Sequence, residues 1–172
     1  MWGWWKQFFQ REVDLNARVP GAISFKYGEL IRSDYATRYG ISNIPTDSEW
    51  DNLEILTREV LQPTRDKFGP IRITSGFRSY ELNKALGGSS NSLHRFGHAA
   101  DIEPVMSGIK LLSVLEWIHN NCDYRELIAE YFPGGWIHVA YVSSGNDKIL
   151  KLKDNNHNYT RVSIDYIKEL YG

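Results

Sequence analysis

The chain has 172 residues and a formal net charge of -1, which suits one domain with its own hydrophobic core. So small a charge gives no general attraction to nucleic acid or to anionic membranes, and we expect neither as a partner. The single cysteine, Cys122, excludes an intrachain disulfide and a zinc site made of several thiolates. Any metal must therefore be bound by histidine and carboxylate side chains.

The N-terminal segment, residues 1–22, begins with the aromatic stretch MWGWWKQFFQ. It lacks the apolar region and the cleavage site of a secretory signal, and no later stretch is long and apolar enough to cross a bilayer. We therefore expect synthesis in the cytoplasm without a signal peptide. Residues 4–14 have helical spacing and could dock on the main domain, residues 23–172; the alternative is a membrane or partner anchor.

A helix is predicted after Pro45, because Thr46 and Glu49 have the spacing of a capping box. Pro63 should kink or restart this helix, and Gly69 should end it. Its apolar positions recur with helical period and form one face: Trp50, Leu53, Leu56, Val60 and Leu61.

The remaining chain alternates between strand and helix patterns. Strands are predicted at 71–75, 98–104, 126–132 and 136–142, helices at 79–86, at 107–121 and from Ser163, and a small hairpin around 154–156. Pro133-Gly134-Gly135 predicts a three-residue turn between the last two long strands. This order predicts an α+β fold, a single domain with a central antiparallel sheet and flanking helices.

The segment from Ser92 to Asp101 contains two histidines and an aspartate where a polar loop enters a strand. A catalytic zinc ion takes three protein ligands and keeps one position open, and His94 and Asp101 could supply two of them around a turn at Gly97. Two alternatives remain. His94 and His98 could instead form an i, i+4 pair on a helix, or these side chains could simply hydrogen-bond within a loop.

A third ligand could come from the strand WIHVAYV, in which His138 shares a face with Trp136 and Ala140. The alternative is a core histidine bonded to a backbone carbonyl. If Pro133–Gly135 is the turn, Glu130 lies directly opposite His138. It is then the candidate general base, although a one-residue slip would move it to the other face.

Three segments resemble the zinc D-Ala-D-Ala carboxypeptidase family, which shares its fold with the hedgehog signalling domain. Residues 74–79 (TSGFRS) are similar to the family's SG-aromatic-RS turn, and residues 92–101 match its S-x-H-x-x-G-x-A-x-D signature at every fixed position. Residues 136–139 (WIHV) resemble its closing W-x-H strand, and residues 25–69 resemble the usual lead-in.

The resemblance implies a zinc cofactor bound by His94, Asp101 and His138. It implies that Arg78 grips or polarises the substrate, and that Ser92 donates a hydrogen bond to it. The implied substrate is the peptidoglycan stem peptide, cut by a D-Ala-D-Ala carboxypeptidase or a stem endopeptidase at the cell wall or in the periplasm. We expect a monomer, and phage lysis proteins are common carriers of this family.

Two of these residues could instead have ordinary structural roles. Arg78 could be a surface charge or could pair with Glu81, and Ser92 could cap a loop.

The general base is where the chain departs from the family pattern. Some relatives have a glutamate three residues before the last ligand, where this chain has Gly135, and others have a histidine where it has Trp136. Glu130 is therefore the candidate base, with Glu126 and Glu103 as alternatives. The departure also leaves room for a non-catalytic wall-binding or virion structural module, or for a metal-free interaction domain.

Overall fold

The computed structural model describes residues 11–172. Most of the predicted helix at 4–14 lies outside the described residues, and 11–14 are not helical. None of the helices that residues 11–172 form has the length and apolar content of a membrane span.

Eight strands and seven α-helices follow one another along the described chain. The strands are β1 (Arg18–Val19), β2 (Ala22–Lys26), β3 (Ile71–Ser75), β4 (Ala99–Pro104), β5 (Glu126–Glu130), β6 (Trp136–Ala140), β7 (Ile149–Lys153) and β8 (Tyr159–Arg161). The α-helices are α1 (Tyr27–Ile31), α2 (Asp34–Tyr39), α3 (Asp47–Leu56), α4 (Gln62–Phe68), α5 (Tyr80–Ala85), α6 (Leu111–Asn121) and α7 (Ile164–Tyr171).

The main sheet has six strands in the order β3-β4-β6-β5-β7-β8. All its neighbours pair antiparallel except β5 and β7, which run parallel. The predicted α+β fold is confirmed, with this parallel pair as the one exception to an antiparallel sheet. A separate two-stranded hairpin, β1–β2, precedes the helices.

The long helical segment begins where the capping box predicts, since the Thr46 and Glu49 side chains bond each other's backbone N–H groups. A π-helical turn (Thr57–Leu61) joins α3 to α4 without a break in helical backbone, and Pro63 lies at the start of α4, directly after that turn. The five apolar residues predicted for the inner face are all buried.

The two faces of the sheet have different roles. On one face Ile102, Leu127, Ile137 and Val139 are fully buried in the hydrophobic core that the helices cover. Because side chains alternate along a strand, Asp101, Glu126, Glu130 and His138 lie on the opposite face. That face carries the polar site.

Candidate metal centre

The turn after β3 is held in place by backbone contacts with distant segments. The Phe77 amide donates to the Leu30 carbonyl at 2.8 Å, and the Arg78 amide donates to the His94 carbonyl at 3.1 Å. Gly76 has to be a glycine, since a Cβ there would lie 2.0 Å from the Leu30 oxygen. These contacts fix the turn between α1 and the loop that carries His94.

His94 lies in a short 3₁₀ helix (Leu93–Phe96) that ends at Gly97, whose φ is +73°. Its Nδ1 is 2.7 Å from the carbonyl oxygen of Gly76. A carbonyl only accepts hydrogen bonds, so Nδ1 carries the proton and Nε2 keeps its lone pair. The backbone of the turn therefore sets the tautomer of this histidine.

Asp101 and His138 are brought together by strand register. They are directly opposed in the antiparallel β4–β6 pair, so their side chains share one face of the sheet. His138 Nδ1 lies 2.9 Å from Asp101 Oδ1. His94 Nε2 lies 3.3 Å from the same oxygen and 3.2 Å from His138 Nδ1.

These three atoms have the spacing of ligands around one metal ion. Zinc bonds nitrogen and oxygen at about 2.0–2.1 Å, so two ligand atoms on a tetrahedron lie about 3.3 Å apart. The observed separations are 2.9, 3.2 and 3.3 Å. Among residues 11–172, His94, Asp101 and His138 form the cluster whose ligand atoms lie close enough together to hold one metal ion. Two imidazoles and a carboxylate fit Zn²⁺.

The electrostatics of the cluster also suit a metal ion. Burial alone would raise the pKa of Asp101, but His94 and His138 together hold it well below its usual range. Burial lowers the pKa of His94, which favours the neutral imidazole that a metal requires. For His138 burial is outweighed by the hydrogen bond to Asp101, and its pKa is raised. A metal ion bound at Nδ1 would take the place of the proton that this nitrogen shares with Asp101.

The predicted register of the β5–β6 hairpin is wrong by two residues. Glu130 pairs with Trp136, and the residue opposite His138 is Ile128. The loop between the strands takes five residues, 131–135, instead of three. A shift of two conserves the face, so Glu130 still lies on the side of the sheet that carries His138, two residue pairs further along the hairpin. It is buried and lines the cleft.

Glu126 lies at the other end of β5, on the same face. Its Oε1 is 3.9 Å from His138 Nε2, on the side of the ring away from Asp101, and its Oε2 is bonded by Lys151. Glu103 is placed differently: it pairs with Arg72 and is not among the residues that line the cleft.

A cleft of about 830 Å³ opens over the cluster. Arg78 and Ser92 both line it. Arg78 does not pair with Glu81: its Nη2 donates to Asp101 Oδ2 at 2.9 Å and its Nε donates to Ser75 Oγ at 2.8 Å. The guanidinium therefore orients the carboxylate of Asp101 while part of it faces the cleft.

Several residues of the site were not found from the sequence. Asn43, which is buried, donates to the carbonyls of Ile31 and Phe77 and accepts from the Ser79 amide, so it ties the Arg78 turn to α1. Lys153 and Tyr159 close the far wall of the cleft. The alternation in ILKLK could have indicated that Lys151 and Lys153 share a face, but no local pattern indicated which strand they would join.

Comparison with known proteins agrees with the geometry. The sequence profile of the peptidase M15 family matches residues 23–140. The chain belongs to the peptidase M15 family. It is also similar to the zinc D-Ala-D-Ala carboxypeptidase of Streptomyces albus G, with 33% identity over 128 residues.

The family resemblance predicted from three short segments is thus confirmed. The aligned part covers 73% of this chain but 48% of that relative, so the chain spans about half the length of the relative. The residues that match the family profile include the turn with Arg78 and the strands with Asp101 and His138. They end before β7.

Proposed function

We propose that this protein is a zinc metallopeptidase that hydrolyses peptide bonds in the stem peptides of peptidoglycan. The observation that supports this most directly is the spacing of His94 Nε2, Asp101 Oδ1 and His138 Nδ1, between 2.9 and 3.3 Å, at the floor of an open cleft. Membership of the M15 family supports peptide hydrolysis, and the name of the Streptomyces relative supports zinc and a D-Ala-D-Ala substrate.

In this proposal His94, Asp101 and His138 hold the zinc. Bound zinc polarises a carbonyl and acidifies a water molecule. The protein supplies the rigid placement: His94 is tied to the Gly76 carbonyl and Asp101 is held by Arg78. Such partners of the ligands reduce the reorganisation that metal binding requires.

Glu130 is the proposed general base. It takes a proton from the attacking water and passes it to the leaving amine, as a buried carboxylate on the wall of a peptidase cleft can do. Lys153 bonds Oε2 of Glu130, so Oε1 can serve as the proton acceptor. Glu126 is less suited because its Oε1 lies near Nε2 of His138, the ring nitrogen turned away from Asp101.

Arg78 and Ser92 are proposed to contact the substrate. The Arg78 side chain is 20% exposed and uses Nη2 and Nε for protein contacts. The remaining guanidinium N–H groups can donate to a terminal carboxylate or to the carbonyl under attack. Ser92 directly precedes the 3₁₀ helix that carries His94, and it lines the cleft.

The alternative, a non-catalytic wall-binding module, was suggested by the glycine at position 135. A Cβ on Gly135 would lie 1.8 Å from the carbonyl oxygen of Glu130, so this hairpin has no room for a side chain there. The glycine is thus explained by the shape of the loop. It is not evidence that the base has been lost, because Glu130 reaches the cleft from the neighbouring strand.

The decisive experiment is turnover of purified peptidoglycan by the zinc-loaded protein, followed by mass spectrometry of the stem peptides. Release of D-Ala indicates a carboxypeptidase. Fragments with a new amino terminus inside the stem indicate an endopeptidase. Clearing of intact cell walls would add support for a role as a phage lysin. Activity should disappear in chelator and return with zinc. Bound zinc without any cleavage of several wall types would favour the binding module.

Matched variants assign the roles. His94→Ala should lose zinc and activity together, whereas Glu130→Gln should keep zinc and lose most turnover. Glu103→Gln is the control, since Glu103 is a carboxylate on the same sheet that pairs with Arg72 outside the cleft. Full turnover by Glu130→Gln would remove Glu130 as the base, and loss in Glu126→Gln instead would transfer that role.

A further inference from the structure

The last strand pair brings a lysine to the candidate base. In the parallel β5–β7 pair Lys153 is in register with Glu130, and its Nζ donates to Glu130 Oε2 at 2.8 Å. Both side chains are largely buried, with 15% of Lys153 and 8% of Glu130 exposed. A buried ion pair of this kind holds both groups in one geometry.

Aromatic rings enclose the lysine. Its ammonium lies 5.0 Å from the ring centroids of both Tyr131 and Tyr159. Burial would lower the pKa of Lys153, but the hydrogen bond to Glu130 and the bonds to the two tyrosines raise it. Lys153 therefore stays charged over the pH range in which a peptidase works, and it is fixed from three sides.

This arrangement comes from a part of the chain that the family match does not include. The profile ends at residue 140, and β7 and β8 span Ile149–Lys153 and Tyr159–Arg161. Even so, Lys151, Lys153, His157 and Tyr159 all line the cleft over the metal cluster. The C-terminal hairpin is thus one wall of the site.

We propose that Lys153 is a positioning residue for the general base, and that the β7–β8 hairpin is part of the catalytic apparatus. This inference rests on the proposed function, in which Glu130 is the base. Lys153 binds Oε2, holds the buried carboxylate in place and directs Oε1 to the cleft. Without it, the buried carboxylate would lose its charged partner and the contact that fixes its orientation.

The test compares kcat and KM for zinc-loaded Lys153→Met and Lys153→Arg. Loss of the hydrogen-bond partner of a metal ligand costs about 10- to 100-fold in activity, and we apply the same scale to the partner of the proposed base. We expect Lys153→Met to lose kcat by that factor, with KM and zinc content little changed, and Lys153→Arg to recover most of the loss. Lys153→Gln replaces the methionine variant if that variant does not fold.

The control is Lys168→Met. Lys168 also donates to a glutamate, Glu116, at 2.8 Å, but it lies on α7 away from the cleft. Its variant should keep the kcat of the parent. Lys153→Met with the same kcat as the control, or a loss that Lys153→Arg does not restore, would overturn the proposal.

A double variant separates this inference from the function on which it rests. If Lys153 acts through Glu130, adding Lys153→Met to Glu130→Gln should cause no further loss of kcat. A further loss of the same size as in the single variant means that Lys153 acts elsewhere, and the inference fails. Full activity of Glu130→Gln alone would instead refute Glu130 as the base.

Discussion

Replacing Gly97 with alanine tests how tightly the loop that follows His94 packs against α3. Gly97 lies between two candidate ligands, is buried, and has a φ of +73°. A Cβ at this position would lie 2.4 Å from the carbonyl oxygen of Glu49 and 3.2 Å from Cγ of Leu53. The loop therefore packs directly on the first turn of α3, and a methyl group would separate them.

Two costs add up in this variant. The left-handed backbone conformation costs a residue with a Cβ roughly 1–2 kcal/mol. Forcing an atom into a packed contact costs typically about 1–3 kcal/mol, and here the nearest atom belongs to the backbone, which moves less easily than a side chain. We therefore expect Gly97→Ala to lower the free energy of unfolding by about 2–5 kcal/mol.

The assay is urea unfolding followed by tryptophan fluorescence, with zinc present and with zinc removed. The matched control is Gly40→Ala, since Gly40 has a φ of +64° but no atom lies within 4 Å of the place that a Cβ would take there. The control should show the backbone cost alone. If the two variants lose the same free energy of unfolding within error, the close approach to Glu49 does not affect stability and the reasoning is refuted.

Three further predictions concern stability. Asn43→Ala leaves two buried carbonyls and one amide without their partner, and should lower the free energy of unfolding in urea by about 2–4 kcal/mol. A loss below about 1 kcal/mol is typical of a surface substitution and would contradict the anchoring role. Burial, then the hydrogen bond to Glu54, raises the pKa of Tyr27 from 10.0 to about 12. The folded state therefore keeps this proton longer, and stability is lost as pH rises through that window; Tyr27→Phe should show a shallower fall, and an equal fall would contradict the shift. Chelator should lower the melting temperature of the zinc-loaded protein, since zinc at about a thousand times its Kd contributes about 4 kcal/mol, and should leave that of His94→Ala unchanged.

The family and the fold class followed from short-range patterns. The capping box at Thr46, the restart at Pro63 and the cap at Ser79 depend on residues a few positions apart, and all three are present. The signature of residues 92–101 has the same local character. Spacing alone left alternatives open for His94, Asp101 and His138, and the resemblance to the family is what implied them as one ligand set. The three side chains do lie together in the structure.

Strand pairing was harder to predict from the sequence. The hairpin loop was predicted too short, so Glu130 was placed opposite His138 when Ile128 occupies that position. The face was nevertheless right, because a side chain returns to the same face every second residue. The assignment of Glu130 as the base stays a prediction.

The amino-acid sequence by itself indicated the helices and strands from residue 46 onward, the apolar face of the long helical segment, and which residue types were available to bind a metal. It did not indicate the strands and helices between residues 18 and 39. Only the tertiary structure decided that Lys153 would meet Glu130, that Asn43 would anchor the Arg78 turn, and that a Cβ at Gly135 has no room. The physical reason is that local preferences act over a few residues. The parallel β5–β7 pair and the contact of Asn43 with the Arg78 turn join segments distant in the chain, and such pairings are selected by the packing of the whole domain.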